Sequence, residues 1–236
     1  MGFTYQRTLK RHELRLLQPI ILSHNFLSFR SLVVPRTGAP PYTAVSYTWG
    51  DEPPSQTIQL DGQSFSVRLN LWSCLHYISS HARNAGVEYL WADAICINQN
   101  DTDERSAQVS LMDQTYANAS FVSVWLGLPT LPEHLWDQIP QHEPIRTLDS
   151  DGIDFHDSMA DLANRPYWSR FWVIQEFLLG KDAMLYCSNT GMNWLDFKTI
   201  LCMEVGIDET RSMDQLNDRV GGKCLQSFAI GYGTPC

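Results

Sequence analysis

The strongest constraint on the fold lies between residues 88 and 127, where an apolar run, a polar loop, a helical stripe and a second apolar run stand in order. Residues 89–97, YLWADAICI, are closed by turn residues, the pattern of a buried strand, and one carboxylate, Asp93, interrupts them. The loop Asn98, Gln99, Asn100, Asp101 is wholly polar. Asp101 with Glu104 three residues on has the spacing of a capping box, in which the two side chains satisfy orphan amides of a first helical turn. Val109, Met112, Tyr116 and Ala119 then recur at helical intervals, with Arg105 and Gln108 extending the stripe toward the loop. The run FVSVWLG at 121–127 reads as the next strand. A helix between two strands favours a right-handed crossover and hence parallel pairing. Ligands of open α/β sheets bind at the carboxyl ends of strands. This unit therefore aims Asn98, Gln99, Arg105 and Gln108 at a candidate site.

The flanking chain supplies further elements. Residues 13–34 give two strand-like runs around a His-Asn turn, and 42–49, YTAVSYTW, is rich in β-branched and aromatic residues, as strands are. Residues 56–67 read as a hairpin turning at Asp61-Gly62. Asn70 is placed to cap a helix over 71–81, with Leu71, Cys74, Leu75 and Ile78 as its stripe. Residues 129–152 form a long insertion rich in Pro and acid, of the kind usually tied to function or motion. Helices are expected over 154–163, 167–179 (opened by Pro166) and 194–205, and a strand over 183–187. The expected fold is α/β: a parallel sheet with helices on both faces, central strands at 42–49, 89–97, 121–126 and 183–187, and N-terminal β segments and the hairpin beside it. One domain is expected over 1–207, then a polar, Gly-rich tail over 208–236.

Charge and cysteine usage narrow the function. With 236 residues and 44% hydrophobic content the chain can bury a core of its own. A formal net charge of -9 argues against a nucleic-acid groove, which needs clustered cations. The basic residues cluster only from Arg7 to Arg15. The six cysteines form no CxxC pair and no metal-ligand spacing with histidine, and Cys74, Cys96 and Cys202 sit in apolar segments, as free buried thiols do. The seven histidines form no metal-like cluster and read as solvated or locally bonded. No metal is expected. This cysteine usage suits a reducing compartment; with no signal peptide and no spanning run, the expected location is cytoplasmic. Phosphate-binding glycine loops and the GxSxG elbow are absent.

YTAVSYTWGD, LWADAICINQND with ERSAQV and MDQTYANA, VSVWLG, and RPYWSRFWVIQE, in this order, resemble the heterokaryon incompatibility (HET) domain of filamentous fungi. The resemblance covers roughly 14–193, with Ala92 where the family pattern carries Ile, a conservative change for a buried strand. It implies a role in allorecognition and programmed cell death after fusion of unlike hyphae. It also implies a distant similarity to Toll/interleukin-1 receptor (TIR) domains, of flavodoxin-like α/β fold, several of which cleave NAD at the nicotinamide–ribose bond with a glutamate in a Trp-x-x-x-Glu pattern. Trp172 and Glu176 stand at that spacing here. The resemblance further implies NAD or a related nucleotide as substrate rather than cofactor, Glu176 as catalytic carboxylate and Trp172 beside it. A second class stays open: a non-catalytic TIR-like module that self-associates or recruits a signalling protein.

Each candidate carries a structural alternative. Asp93 is either a ligand-facing carboxylate or an internal tie for the loop. Asn98 and Gln99 either meet a ribose or carboxamide, or cap the helix. Arg105 either grips a diphosphate or pairs with Asp93 or Asp101. Ser46, Tyr47, Trp49, Gly50 and Asp51 end the first central strand, where Trp49 either stacks on a ring or packs in the core. Glu176 lies on a helix apolar nearly all round, so it is either a perturbed catalytic acid or the partner of Arg170 or Arg105.

Overall fold

A computed structural model of the chain describes residues 3–23, 26–84, 86–128, 161–162, 164–170, 182–188, 190–194 and 197. Residues 1–125 with 175–183 form one compact unit, and 126–174 with 184–236 a second. Trp172, Glu176, the insertion at 129–152, the helix expected over 194–205 except Trp194 and Phe197, and the tail lie outside the described residues.

The first unit is built on one mixed sheet. β1 (Glu13–Ser23) and β2 (Phe26–Pro35) form a long antiparallel hairpin, as the apolar runs predict. Next along the chain are β3 (Tyr42–Tyr47), β4 (Gln56–Leu60) and β5 (Gln63–Val67), and then α1 (Leu69–Asn84) and β6 (Tyr89–Trp91). Two short helices, α2 (Asp93–Cys96) and α3 (Thr102–Val109), lead to α4 (Met112–Ala117) and β7 (Phe121–Trp125). The strand order in this unit is β5-β4-β2-β1-β6-β3-β7. β3 pairs parallel with both β6 and β7, giving the expected parallel centre. The N-terminal hairpin is not an appendage: β1 pairs antiparallel with β6, and β2 parallel with β4, so the sheet is continuous and mixed.

Helices cover both faces of the centre. All six residues of β3 are buried, so neither face of that strand meets water. Tyr42 and Trp91, on one face by register, reach α4: the Tyr42 hydroxyl donates to the Thr115 carbonyl at 2.5 Å, and the Trp91 and Tyr116 rings meet edge to face. Trp125, paired with Tyr47 on the other face, stacks on Tyr77 of α1 and donates to Asn70 Oδ1 at 2.9 Å.

Three local expectations are corrected. The strand expected over 89–97 stops at Trp91, and Asp93–Cys96 turn into α2, whose Ile95 and Cys96 amides donate back to the Ala92 carbonyl. A short apolar run reads alike as buried strand or buried helix, and only packing separates the two. The single helix expected after Asp101 is two: α3 ends where Ser110 turns its hydroxyl onto the Ala107 carbonyl, and α4 starts at Met112. Asn70 lies inside α1 and does not cap it; its side chain instead joins the Thr48 carbonyl to Trp125.

The second unit contains β8 (Ala183–Cys187, its first residue assigned to the first unit) and β9 (Thr190–Asn193), an antiparallel hairpin. The helix expected from 167 begins as a 3-10 turn, Pro166–Ser169, after which Arg170 is extended. Arg165 there pairs with Asp161 and donates to the Leu128 carbonyl at 2.7 Å. Among the described residues, no helix is long and apolar enough to cross a membrane, and no group of His, Cys, Asp or Glu is placed to hold a metal ion.

Candidate functional site

Asp93 organises the site. Because the chain turns into α2 immediately after β6, the Asp93 carboxylate faces the end of β3 instead of the strand interior. One oxygen accepts from the Tyr47 hydroxyl at 3.0 Å and from the Ala94 amide at 2.7 Å; the other accepts from Trp49 Nε1 at 2.8 Å. A carboxylate engaged on both oxygens is a tie, and here it fixes the orientation of two aromatic rings. Gln99 closes the same turn, donating to the Asp93 carbonyl at 2.9 Å.

These rings border a cleft of about 360 Å³. Tyr47, Trp49, Ala94, Gln99 and Asn100 form one side of its lining. The β5 strand and the start of α1 supply Phe65, Val67, Arg68 and Leu71. The Arg68 guanidinium lies 5.5 Å from the centre of the Trp49 ring, within cation–π range, and its Nε donates to the Glu52 carbonyl at 2.7 Å. Gly50 holds φ at +74°, which lets the chain reverse directly after Trp49; a side chain there would meet no neighbour within 4 Å, so the constraint is torsional.

The remaining candidates divide. Tyr47, Trp49, Asp93 and Gln99 come together at the cleft. Ser46 is buried, and alternation along β3 turns it to the face opposite Tyr47. Asp51 is exposed, as is Arg105, whose guanidinium donates to the Gln99 carbonyl at 3.3 Å. The ion pairs found among the described residues do not include Arg105. Asn98 accepts from the Asn100 amide and supports the loop, while Gln108 is buried against Arg36 and the Lys10 carbonyl. The expected capping box is half formed. Asp101 accepts from the Asp103 and Glu104 amides, but Glu104 turns inward.

Glu104 is the residue that sequence reasoning undervalued. It is 1% exposed and accepts from Arg15 at 2.9 Å, the Leu9 amide at 2.8 Å and the Asn98 amide at 2.7 Å. Arg15 also donates to the Cys96 carbonyl at 2.7 Å and lies 4.4 Å over the Tyr5 ring. Tyr5 in turn donates to the Ile95 carbonyl at 2.9 Å and meets Phe3 and Phe65 edge to face. The Phe3 amide bonds the Ser64 carbonyl, and the Thr8 hydroxyl bonds Asp101. The segment 3–9 thus straps β5, one wall of the cleft, to the α2–α3 loop, the other. Burial pushes the Tyr5 phenol well above its usual range and the Cys96 thiol up to about 12. Within the basic cluster from Arg7 to Arg15, Arg15 is held inside by Glu104, and Arg7 pairs with Glu13 at 2.6 Å on the surface.

Residues 42–176 match the family described as Heterokaryon incompatibility protein (HET). The chain belongs to the HET family. It is similar to heterokaryon incompatibility protein 6, OR allele, of Neurospora crassa, at 29% identity over 201 residues, covering 65% of this chain and 29% of that protein. The chain therefore spans less than a third of the length of that curated relative. No solved structure matches it. The described residues lining the cleft all fall inside the HET match, whereas the strap and the β1–β2 hairpin precede it.

Phe65 and Arg68 were missed because the hairpin reads as a structural element. A signal was present: Arg68 is the only Lys or Arg between Arg36 and Arg83, directly after the hairpin.

Proposed function

We propose that this chain is a HET-domain effector of fungal incompatibility and programmed cell death that acts by TIR-like cleavage of NAD or a related nucleotide. The observation that supports this reading is the aromatic cleft, in which Asp93 holds Trp49 in place beside Gln99 and Arg68. A fixed indole offers a stacking face, an amide reads a carboxamide or ribose, and a guanidinium suits phosphate. At about 360 Å³ the cleft is at the small end of the roughly 300–1,000 Å³ of small-molecule sites, room for one half of a dinucleotide.

In the proposed reaction the bond between the ribose and the nicotinamide nitrogen breaks, and its electron pair leaves with neutral nicotinamide. The sugar passes through an oxocarbenium-like state, which a facing carboxylate stabilises, and water adds with release of a proton. Glu176 is the carboxylate assigned to that task, on the TIR resemblance alone. The test is to incubate the purified chain with NAD over a range of protein concentrations and measure free nicotinamide. Release that Glu176→Gln abolishes, with thermal stability kept, is the expected result. No release at any concentration, or full release by Glu176→Gln, overturns it.

The alternative, a self-associating signalling module, draws on Ile20, Ile21, Phe26 and Leu32, which are exposed along the β1–β2 hairpin. On that reading Glu176→Gln still kills, and polar substitution of Ile21 and Phe26 does not.

A further inference from the structure

Among the described residues that line the cleft, Arg68 is the one with a charged side chain. The chain as a whole carries a formal charge of -9, yet among the described residues no carboxylate pairs with this guanidinium. Its partners are a neutral carbonyl, that of Glu52, through Nε, and the face of Trp49. The terminal nitrogens, which carry most of the donors, therefore stay available to a ligand. The geometry has a second consequence. At 5.5 Å from the ring centre the guanidinium stands over one face of the Trp49 indole, too close for a second ring to slide between them. A ligand ring can take that face only if Arg68 swings away, and an anion on the same ligand rewards the swing with a charge-assisted, two-pronged contact.

We propose that Arg68 is the specificity-determining residue of the cleft, guarding Trp49 against uncharged rings and admitting planar ligands that carry a phosphate. The proposal rests on the nucleotide reading of the same site and adds the rule by which the site chooses: nucleotide over nucleoside. Among the described residues no carboxylate pairs with Arg68, and its charge faces the Trp49 ring, a contact that a phosphate can displace with stronger charge-assisted hydrogen bonds.

The test measures binding of AMP and of nicotinamide mononucleotide, each against its own nucleoside, by calorimetry on the whole chain. The wild type should prefer the phosphorylated member of each pair by tenfold or more, with the preference shrinking as salt rises. Arg68→Ala should erase the preference from both sides, weakening the nucleotide and strengthening the nucleoside, while Arg68→Lys keeps part of it. Equal binding of nucleotide and nucleoside by the wild type, or an undiminished preference in Arg68→Ala, overturns the role of Arg68 and leaves the nucleotide site standing. Binding of neither by the wild type overturns the nucleotide reading itself. Should Arg68→Ala fail to fold, the salt dependence of the wild-type preference decides: a preference that salt does not touch is not read by a guanidinium.

Discussion

The Arg15 guanidinium donates to the Glu104 carboxylate at 2.9 Å, with the two side chains only 4% and 0% exposed. Desolvating two charges is costly, so such a pair persists only where the remaining donors and acceptors are also satisfied. Here they are, by the Cys96 carbonyl on one side and the Leu9 and Asn98 amides on the other. Glu104→Gln should therefore destabilise the fold by about 3–5 kcal/mol, since it leaves Arg15 buried and unpaired. Asp101→Ala, which removes the helix cap and the exposed bond from the Thr8 hydroxyl, should cost about 1–2 kcal/mol. Urea denaturation of the two variants checks the ranking; equal costs would contradict it.

Asp93→Asn should loosen the cleft. Asn offers one acceptor oxygen where the carboxylate offers two, so either Tyr47 or Trp49 loses its partner. The expected cost is about 1–3 kcal/mol. Hydrogen exchange of the Trp49 indole N–H should quicken, and the proposed nucleotide binding should weaken. An unchanged exchange rate would mean that packing alone holds the ring.

The strap makes a separate prediction. Tyr5→Phe keeps the ring on Phe65 and under Arg15 but removes the bond to the Ile95 carbonyl, a loss of about 1 kcal/mol. Tyr5→Ala removes the ring as well and should raise hydrogen exchange across residues 95–99 more than across β3. Uniform acceleration would show that the strap acts on global stability and not on the α2–α3 loop.

Alkaline pH should lower stability. Burial raises the Cys96 and Cys187 thiols to about 12 and the Tyr42 phenol to about 12. In the unfolded chain these thiols lose their protons near 8.5 and the phenol near 10. Between those values and 12 the unfolded state binds fewer protons than the folded one, so stability falls as pH rises through that window and is fully present below it. Denaturant midpoints from pH 8 to 11 should decline, less steeply in Cys96→Ala. Alkylation of Cys96 at pH 8 should be slow until the protein unfolds; rapid labelling of the native state would contradict its burial.

Periodicity and residue type carried the reading of β1–β5, β7 and the Asp61-Gly62 turn, because each depends on patterns spanning a few neighbours. The same local logic failed at residues 92–97, where a buried helical turn and a buried strand have the same composition. It also joined α3 to α4 across Ser110, since the apolar stripe continues in phase through the break. At the site, Tyr47, Trp49, Asp93 and Gln99 were legible as polar or aromatic residues at strand ends. Arg68 and Phe65 were not, because they approach Trp49 from a hairpin with no sequence proximity to it.

From the residues alone came the alternation of strand and helix, the parallel centre, the acidic charge and the family, all of which rest on local pattern or ordered motifs. Tertiary structure decided which partner each polar group takes. Glu104 has the spacing to cap its own helix, yet Arg15, 89 residues away in the chain, and the strap amide of Leu9 draw it inward. Asp93 becomes a tie because β3 ends beside it, bringing two ring donors within 3.0 Å. A buried charge is satisfied by whatever the fold places within hydrogen-bond reach, and sequence spacing does not record that distance.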